Sequence, residues 1–166
     1  MELVVIDAHN YDIKLPEINR IAVRGIIKKD NKFLMIDENT GNVKFPGGGQ
    51  EPHEDHIATL LREVKEETGY SIDIDTVEEF LLIEEKRKSV KEELIWHQYN
   101  YYYLCDLINM EQVACSFSEH EKTLDLQLGW YTVEEARTKI SRFCEERNRV
   151  LERDREYIVL SKLMEF

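Results

Sequence analysis

The chain has 166 residues, of which 42% are apolar and 34% are charged, and its formal net charge is −12. This size and balance predict one soluble globular domain with a full hydrophobic core. The negative charge argues against extended contact with a nucleic-acid backbone, although a divalent metal can reverse the local sign for a small phosphorylated substrate. No apolar run approaches the 18 residues that indicate a membrane span.

Strand and helix signals alternate along the chain without a repeat or a linker, so a single domain over 1–166 is the simplest interpretation. Residues 1–19 are an N-terminal extension or an extra strand. β-Branched and apolar runs predict strands at 20–29, 32–38, 80–87, 94–107 and 124–133. Helices are predicted at 55–68, at 132–140 after a capping box, and at 144–166 as a terminal helix. This mixture predicts an α/β or α+β sandwich.

The cysteines favour a reducing compartment. Cys105, Cys115 and Cys144 are odd in number and widely spaced, whereas a disulfide framework or a zinc site would show closer pairing. The first residues, MELVVIDAH, carry acidic side chains and no basic region, which is not typical of a signal peptide. We therefore expect a cytoplasmic protein.

The helix at 55–68 has well-marked ends and one apolar face. Asp55 suits the N-cap, and Gly69 stands where a left-handed C′ residue is favoured. At about 100° per residue, the apolar face collects residues that fall within roughly 60° of one another. These are Ile57, Leu60, Leu61, Val64 and Thr68.

Three glutamates of the same helix, Glu63, Glu66 and Glu67, are predicted to share a face away from the core. Like charges three and four residues apart destabilise a helix, and only Arg62 and Lys65 lie nearby to offset them. A solvated charged face is the ordinary explanation for such a cluster. The glycine-rich turn before the helix favours a divalent metal site instead, because Mg²⁺ prefers carboxylate oxygens and glycine lets backbone carbonyls approach an ion.

The spacing of these residues is specific. The stretch GGQEPHEDHIATLLREVKEETGY, residues 48–70, resembles the Nudix box, Gly-x5-Glu-x7-Arg-Glu-U-x-Glu-Glu-x-Gly-U, in which U is a bulky aliphatic residue. All seven invariant letters are present. Two positions depart from the usual pattern: Tyr70 takes the last U position, and His53 stands where many family members have glycine. His53 is either an exposed loop residue or a contact to substrate or metal.

The resemblance implies a fold and an activity. The fold would be an α-β-α sandwich in which a mixed β-sheet lies between helices and the box forms a loop–helix–loop. The activity would be hydrolysis of a nucleoside diphosphate linked to another moiety, with water attacking phosphorus and Mg²⁺ or Mn²⁺ as the cofactor. The partner would then be a small nucleotide rather than long nucleic acid or a membrane, and the second moiety is open. Dimers are frequent in the family, so a homodimer is compatible with it.

Matching positions imply roles inside the box. Arg62 would orient the carboxylates through a salt bridge, with Glu54 close to it, although a plain surface ion pair is the alternative. Glu66 would serve as a metal ligand or as the base that positions water. The implied metal ligands are Gly47 through its backbone carbonyl, Glu63, Glu66 and Glu67.

Two further predictions lie outside the box. In some family members the general base is a glutamate in a later loop, and Glu121 is the preferred candidate here, with Glu119 and Asp125 as alternatives. A mobile acidic loop would explain the same residues.

The strand at 94–107 is rich in aromatic residues. Alternation places Tyr99, Tyr101 and Tyr103 on one face and Trp96 and Tyr102 on the other. Tyr99, or else Tyr101, is predicted to stack on the substrate base, as aromatic platforms do. Core packing is the competing explanation, because aromatic residues are favoured in strands anyway.

Two other functions remain open from the sequence. A Nudix-fold module that binds a nucleotide without cleaving it is one, although such modules typically lose box glutamates that this chain retains. An RNA-processing Nudix enzyme is the other, and the net charge of −12 argues against it.

Overall fold

The computed structural model describes residues 1–116 and 126–165. In these residues the strands are β1 Glu2–Asp7, β2 Glu17–Lys29, β3 Lys32–Asp37, β4 Val43–Lys44, β5 Gly47–Gly49, β6 Glu78–Lys88, β7 Ile95–Cys105 and β8 Gln127–Tyr131. The helices are α1 His56–Thr68, α2 Val133–Glu146 and α3 Arg155–Leu163, with short 3-10 turns at Ile74–Thr76 and Leu151–Arg153.

The long strand β2 belongs to both a mixed sheet and an antiparallel sheet. Its first part pairs in parallel with β7 and antiparallel with β5. Next to β7 lies the antiparallel β6, and β1 pairs in parallel with β6. The last residues of β2 pair with β3, which in turn pairs with β4 and β8. The mixed sheet that the sequence predicted is confirmed, and residues 2–7 add a strand to it.

Helices cover both faces of this sheet, so the predicted α-β-α sandwich is confirmed. Alternation along β2 sends Val23 and Ile27 into a cluster with the apolar face of α1 and sends Ile26 into a second cluster with α2 and α3. Gly25 allows α1 to approach, because a Cβ at this position would stand 3.1 Å from Val64 Cγ2.

The predicted helix caps are confirmed. The Asp55 carboxylate accepts a hydrogen bond from the Ala58 N–H at 2.8 Å, and Gly69 adopts φ +73° at the end of α1. At the start of α2, Thr132 and Glu135 form the reciprocal capping box.

The terminal helix is shorter than the sequence predicted. The prediction spanned 144–166, but α2 continues to Glu146 and α3 begins only at Arg155. Between them Asn148 adopts φ +50°, which ends the first helix, and Asp154 caps the second. Among the described residues, no helix has the length and apolar character that crossing a bilayer requires.

Candidate active site

The glycine turn is fixed between β2 and α1. Gly47 pairs with Arg24 of β2 and adopts φ +142°, a conformation that a side chain would strain. A Cβ on Gly47 would also stand 2.6 Å from the Arg24 Cα. A Cβ on Gly48 would stand 2.5 Å from Glu63 Cδ, so the Glu63 carboxylate lies directly against the glycine backbone.

Glu67 lies in the deepest part of this site. Its side chain is buried, with the residue 2% exposed, and its Oε2 accepts a hydrogen bond from the Gly47 N–H at 2.7 Å. Its other oxygen is 3.6 Å from Lys44 Nζ. Burial raises the pKa of Glu67 to about 7, while Lys44 and the Gly47 N–H act in the opposite direction.

Arg62 connects the remaining box carboxylates. Its Nε and Nη2 donate to the two oxygens of Glu54, the latter at 2.8 Å. Its Nη1 donates to Glu63 at 2.7 Å and to Glu66 at 3.3 Å. Nη2 also donates to the carbonyl of Gly49 at 3.1 Å. One guanidinium therefore contacts three carboxylates and the glycine turn, which is the arrangement that an orienting role requires.

Glu54 is held by more than this ion pair. Its Oε2 also accepts from the Thr59 hydroxyl at 2.9 Å and from the Glu51 N–H at 3.1 Å. The hydrogen bonds from Arg62 are the main cause that lowers the pKa of Glu54 to about 2. Glu54 therefore remains ionised and keeps Arg62 in place.

The environment of the glutamate face differs from the prediction. We expected Glu63, Glu66 and Glu67 to face away from the core, but Glu63 is 9% exposed and Glu67 2% exposed. Only the Glu66 side chain is substantially accessible, at 44%. The reason is that β5 covers this flank of α1, so the carboxylates point at glycine backbone instead of solvent.

The donors suit a hard divalent cation. Carboxylate oxygens and a backbone carbonyl are the ligands that Mg²⁺ and Mn²⁺ prefer. In residues 1–116 and 126–165 no three Asp, Glu, His or Cys side chains are arranged to hold one ion. Instead, Arg62 engages Glu63 and Glu66, and the carbonyl of Gly47 accepts from Arg24 Nη1 at 3.1 Å. A bound ion would take these oxygens from their present hydrogen bonds.

Arg24 also ties the turn to helix α3. Besides the carbonyl of Gly47, its Nη1 reaches the carbonyl of Phe45 at 3.1 Å, and its Nε is 4.0 Å from Glu156. The buried Glu156 accepts from the Tyr102 hydroxyl at 3.0 Å and from the Phe45 N–H at 3.3 Å. The glycine turn thus depends on a carboxylate from the far end of the chain.

A pocket of about 780 Å³ opens beside the glycine turn, a volume typical of small-molecule sites. It extends from Gly47–Gly49 to the start of α3, and its wall includes Trp96 and Gln98 of β7. Sequence reasoning did not place its basic residues in the site: Arg20, Arg24, Lys44, Arg87, Lys88, Arg149, Arg153 and Arg155. The signal that the sequence offered was the spacing of Arg20 and Arg24, which are four residues apart and therefore lie on the same face of β2.

The two predicted aromatic contacts lie elsewhere. Tyr99 and Tyr101 are on the opposite face of β7 from Trp96 and the pocket. Tyr101 packs on His56 with ring centroids 4.1 Å apart, and Tyr99 packs on His97 at 4.6 Å. The structure therefore does not bring them to the glycine turn.

The predicted general base, Glu121, lies outside the described residues, as do the alternatives Glu119 and Asp125. His53 is exposed on the turn before α1.

Known proteins share this sequence pattern and fold. The family model of the NUDIX domain matches residues 18–153. Over 53 residues the chain is 45% identical to an ADP-ribose pyrophosphatase of Methanocaldococcus jannaschii, which covers 30% of this chain and 31% of that protein. The match therefore spans less than a third of that curated relative.

Solved structures extend the likeness of the fold to nearly the whole chain. A NUDIX hydrolase from Nitrosomonas europaea has a TM-score of 0.57 and 18% identity, covering 89% of this chain and 87% of that one. A MutT NUDIX hydrolase from Burkholderia pseudomallei has a TM-score of 0.54 and 18% identity, covering 71% of this chain and 86% of that one. With the complete box and the domain match, this chain belongs to the Nudix hydrolase family.

Proposed function

We propose that the protein is a divalent-metal-dependent hydrolase that cleaves the diphosphate linkage of a nucleoside diphosphate joined to another moiety. The observation that carries this proposal is the placement of the Glu63 and Glu67 carboxylates against the backbone of Gly48 and Gly47, beneath a pocket rich in arginine. Glycine backbone, buried carboxylates and nearby cations together can receive a metal-bound diphosphate.

The box supplies the residues that would hold the ion: the carbonyl of Gly47 and the carboxylates of Glu63, Glu66 and Glu67. Mg²⁺ or Mn²⁺ at this position would neutralise phosphate charge and supply an activated water. Arg62, kept in place by Glu54, orients the glutamates.

Glu121 stays our proposed general base. Its test is the effect of Glu121→Gln on turnover, compared with the effects of Glu119→Gln and Asp125→Asn in the same segment.

The substrate class is a small nucleotide. ADP-ribose is the first compound to test, because the Methanocaldococcus jannaschii relative is named an ADP-ribose pyrophosphatase. The net charge of −12 disfavours a long phosphate backbone, and with it an RNA-processing role. A cytoplasmic location and a homodimeric state remain predictions.

The proposal is tested with a panel of nucleotide diphosphate derivatives incubated with Mg²⁺ or Mn²⁺, with products identified by mass spectrometry. We expect two phosphate-containing products that require the metal and disappear with a chelator. Nucleotides that bind in the presence of metal but are never cleaved would instead support the second candidate, a binding module. The retained box glutamates favour the enzyme.

A further inference from the structure

Four arginines of the pocket form what we call the arginine wall: Arg20, Arg87, Arg149 and Arg153. Among the residues that the structure describes, none of the four has a carboxylate within ion-pair distance. The neighbouring basic residues differ in this respect. Arg155 is 3.4 Å from a Glu85 oxygen, and Lys44 lies near Glu38 and Glu67.

Such a concentration of positive charge is unexpected in this protein. The chain carries 34 acidic and 22 basic residues, so carboxylates are abundant as partners. The carboxylates that line the same pocket are engaged with other groups: Glu38, Glu67, Glu85 and Glu156 with basic residues outside the four, and Asp154 with the Tyr157 N–H. The four remaining guanidinium groups on one concave surface repel one another and focus a positive potential there. An anion bound in the pocket would relieve this repulsion.

Trp96 holds two of the four arginines in position. The Arg20 Cζ lies 4.9 Å from the centre of the indole ring, and the Arg87 Cζ lies 5.6 Å from it. The two arginines come from β2 and β6, the strands on either side of β7. Cation–π contacts of this kind favour one orientation of a guanidinium that would otherwise move freely.

The orientation of Trp96 is itself fixed by a polar chain along β7. Its indole N–H donates to Gln98 Oε1 at 3.1 Å, and Gln98 donates to Asn100 at 2.6 Å. Asn100, which is fully buried, also accepts from Arg155 at 2.6 Å. This wall of the pocket is therefore organised before any ligand binds.

The arginine wall is continuous with the glycine turn. A Cβ on Gly49 would stand 2.8 Å from Arg20 Nη2, so this guanidinium reaches the glycine turn against which Glu63 and Glu67 of α1 lie. Arg153 lies at the other end of the same pocket, in the 3-10 turn before α3. A ligand that extends from the glycine turn along the pocket meets the arginines in succession.

We propose that the arginine wall binds a phosphate group of the substrate beyond the diphosphate that is cleaved, with Trp96 as a positioning residue. This inference rests on the proposed function and, within its substrate class, favours nucleotides with at least three phosphates over diphosphates such as ADP-ribose. Guanidinium forks bind phosphate oxygens through paired, charge-assisted hydrogen bonds, which a neutral sugar cannot match.

The first test measures binding without catalysis. Inorganic pyrophosphate and tripolyphosphate are titrated into the metal-free protein, with a chelator present, and followed by calorimetry. We expect tripolyphosphate to bind more tightly. In the Arg87→Gln/Arg153→Gln variant its affinity falls by about tenfold or more, because charge-assisted hydrogen bonds of ordinary strength are lost.

Further variants distinguish the effect of charge in the pocket from the effect of net charge and from the positioning of the arginines by Trp96. Arg142→Gln removes one positive charge from the exposed surface of α2, outside this pocket, and should leave tripolyphosphate binding unchanged. Trp96→Leu leaves every charge in place and should nevertheless weaken binding, whereas Trp96→Phe should restore part of it. Equal affinity in wild type and in the double variant would overturn the arginine wall.

The second test separates this inference from the proposed function. The kcat/KM values are compared for ATP, a dinucleoside tetraphosphate and ADP-ribose. In the double variant the ratio of kcat/KM for the tetraphosphate to that for ADP-ribose should fall about tenfold. If ADP-ribose is cleaved and this ratio is unchanged, phosphate binding by the arginine wall is excluded and the proposed hydrolase activity is supported. If no nucleotide is cleaved while tripolyphosphate binding still depends on the arginines, the proposed hydrolase activity is wrong and phosphate binding by the arginine wall is supported.

Discussion

The carboxylate of Glu63 lies so close to the backbone of Gly48 that any side chain at position 48 would displace it. Gly48→Ala should therefore lower turnover nearly as much as loss of the Glu63 charge, although no charged group is removed. Gly49→Ala is the comparison, because its Cβ would move the end of Arg20 in the arginine wall but not Glu63, and it should therefore raise KM rather than lower turnover. Steady-state kinetics of both variants provide the measurement. Equal turnover in the two would show that the Glu63 contact is not needed.

Glu63→Gln and Glu67→Gln should each lower kcat by at least about 100-fold, the loss that follows removal of a major electrostatic stabiliser. The fold should survive, because a glutamine at position 67 can still accept the hydrogen bond from the Gly47 N–H. Glu145→Gln, on the exposed side of α2, is the control and should keep full activity. Circular dichroism confirms folding. Near-full activity in either site variant would remove that residue from the metal site.

Millimolar Mg²⁺ or Mn²⁺ should raise the melting temperature in the absence of substrate. The ion would stabilise the native state, which carries Glu63, Glu66 and Glu67 on one helix beside the glycine turn, whereas the unfolded chain has no organised site. Differential scanning calorimetry with and without a chelator measures the shift. The Glu63→Gln/Glu67→Gln variant should lose most of it. A shift of the same size in this variant would place the bound metal elsewhere.

The ion pair between Glu54 and Arg62 predicts a loss of stability in acid. The pKa of Glu54 is about 2 in the folded protein against an ordinary value of 4.5, so its stabilising contribution is fully present above pH 4.5. It is lost as the pH falls from there through about 2. Glu54→Gln should thus melt below wild type at pH 7, and this difference should shrink towards pH 2. A difference that is independent of pH would exclude the charged pair as its cause.

The sequence predicted what depends on neighbours along the chain. The caps and the apolar face of α1 follow from contacts three and four residues apart, so Asp55 and Gly69 could be assigned from local spacing. The burial of Glu67 could not, because it depends on the pairing of Gly47 with Arg24, 23 positions away. No local sequence pattern predicts that pairing.

The aromatic strand shows the same limit in another form. Alternation correctly separated Tyr99 and Tyr101 from Trp96, but the face that meets the site is decided by where β5 and α1 pack. The arginine wall could not be predicted from the sequence for the same reason. Its members come from β2, β6 and the connection between α2 and α3, which only the folded chain brings together.

The contact of Glu156 with the Phe45 N–H joins residues 111 positions apart, and through Arg24 it reaches the glycine turn. This connection means that the parts of the site are synthesised at different times. The ribosome synthesises the whole Nudix box before it synthesises α3, so the glycine turn of the nascent chain at first lacks Glu156. Until then Arg24 lacks its Glu156 partner, so the glycine turn should become fully ordered only late in synthesis.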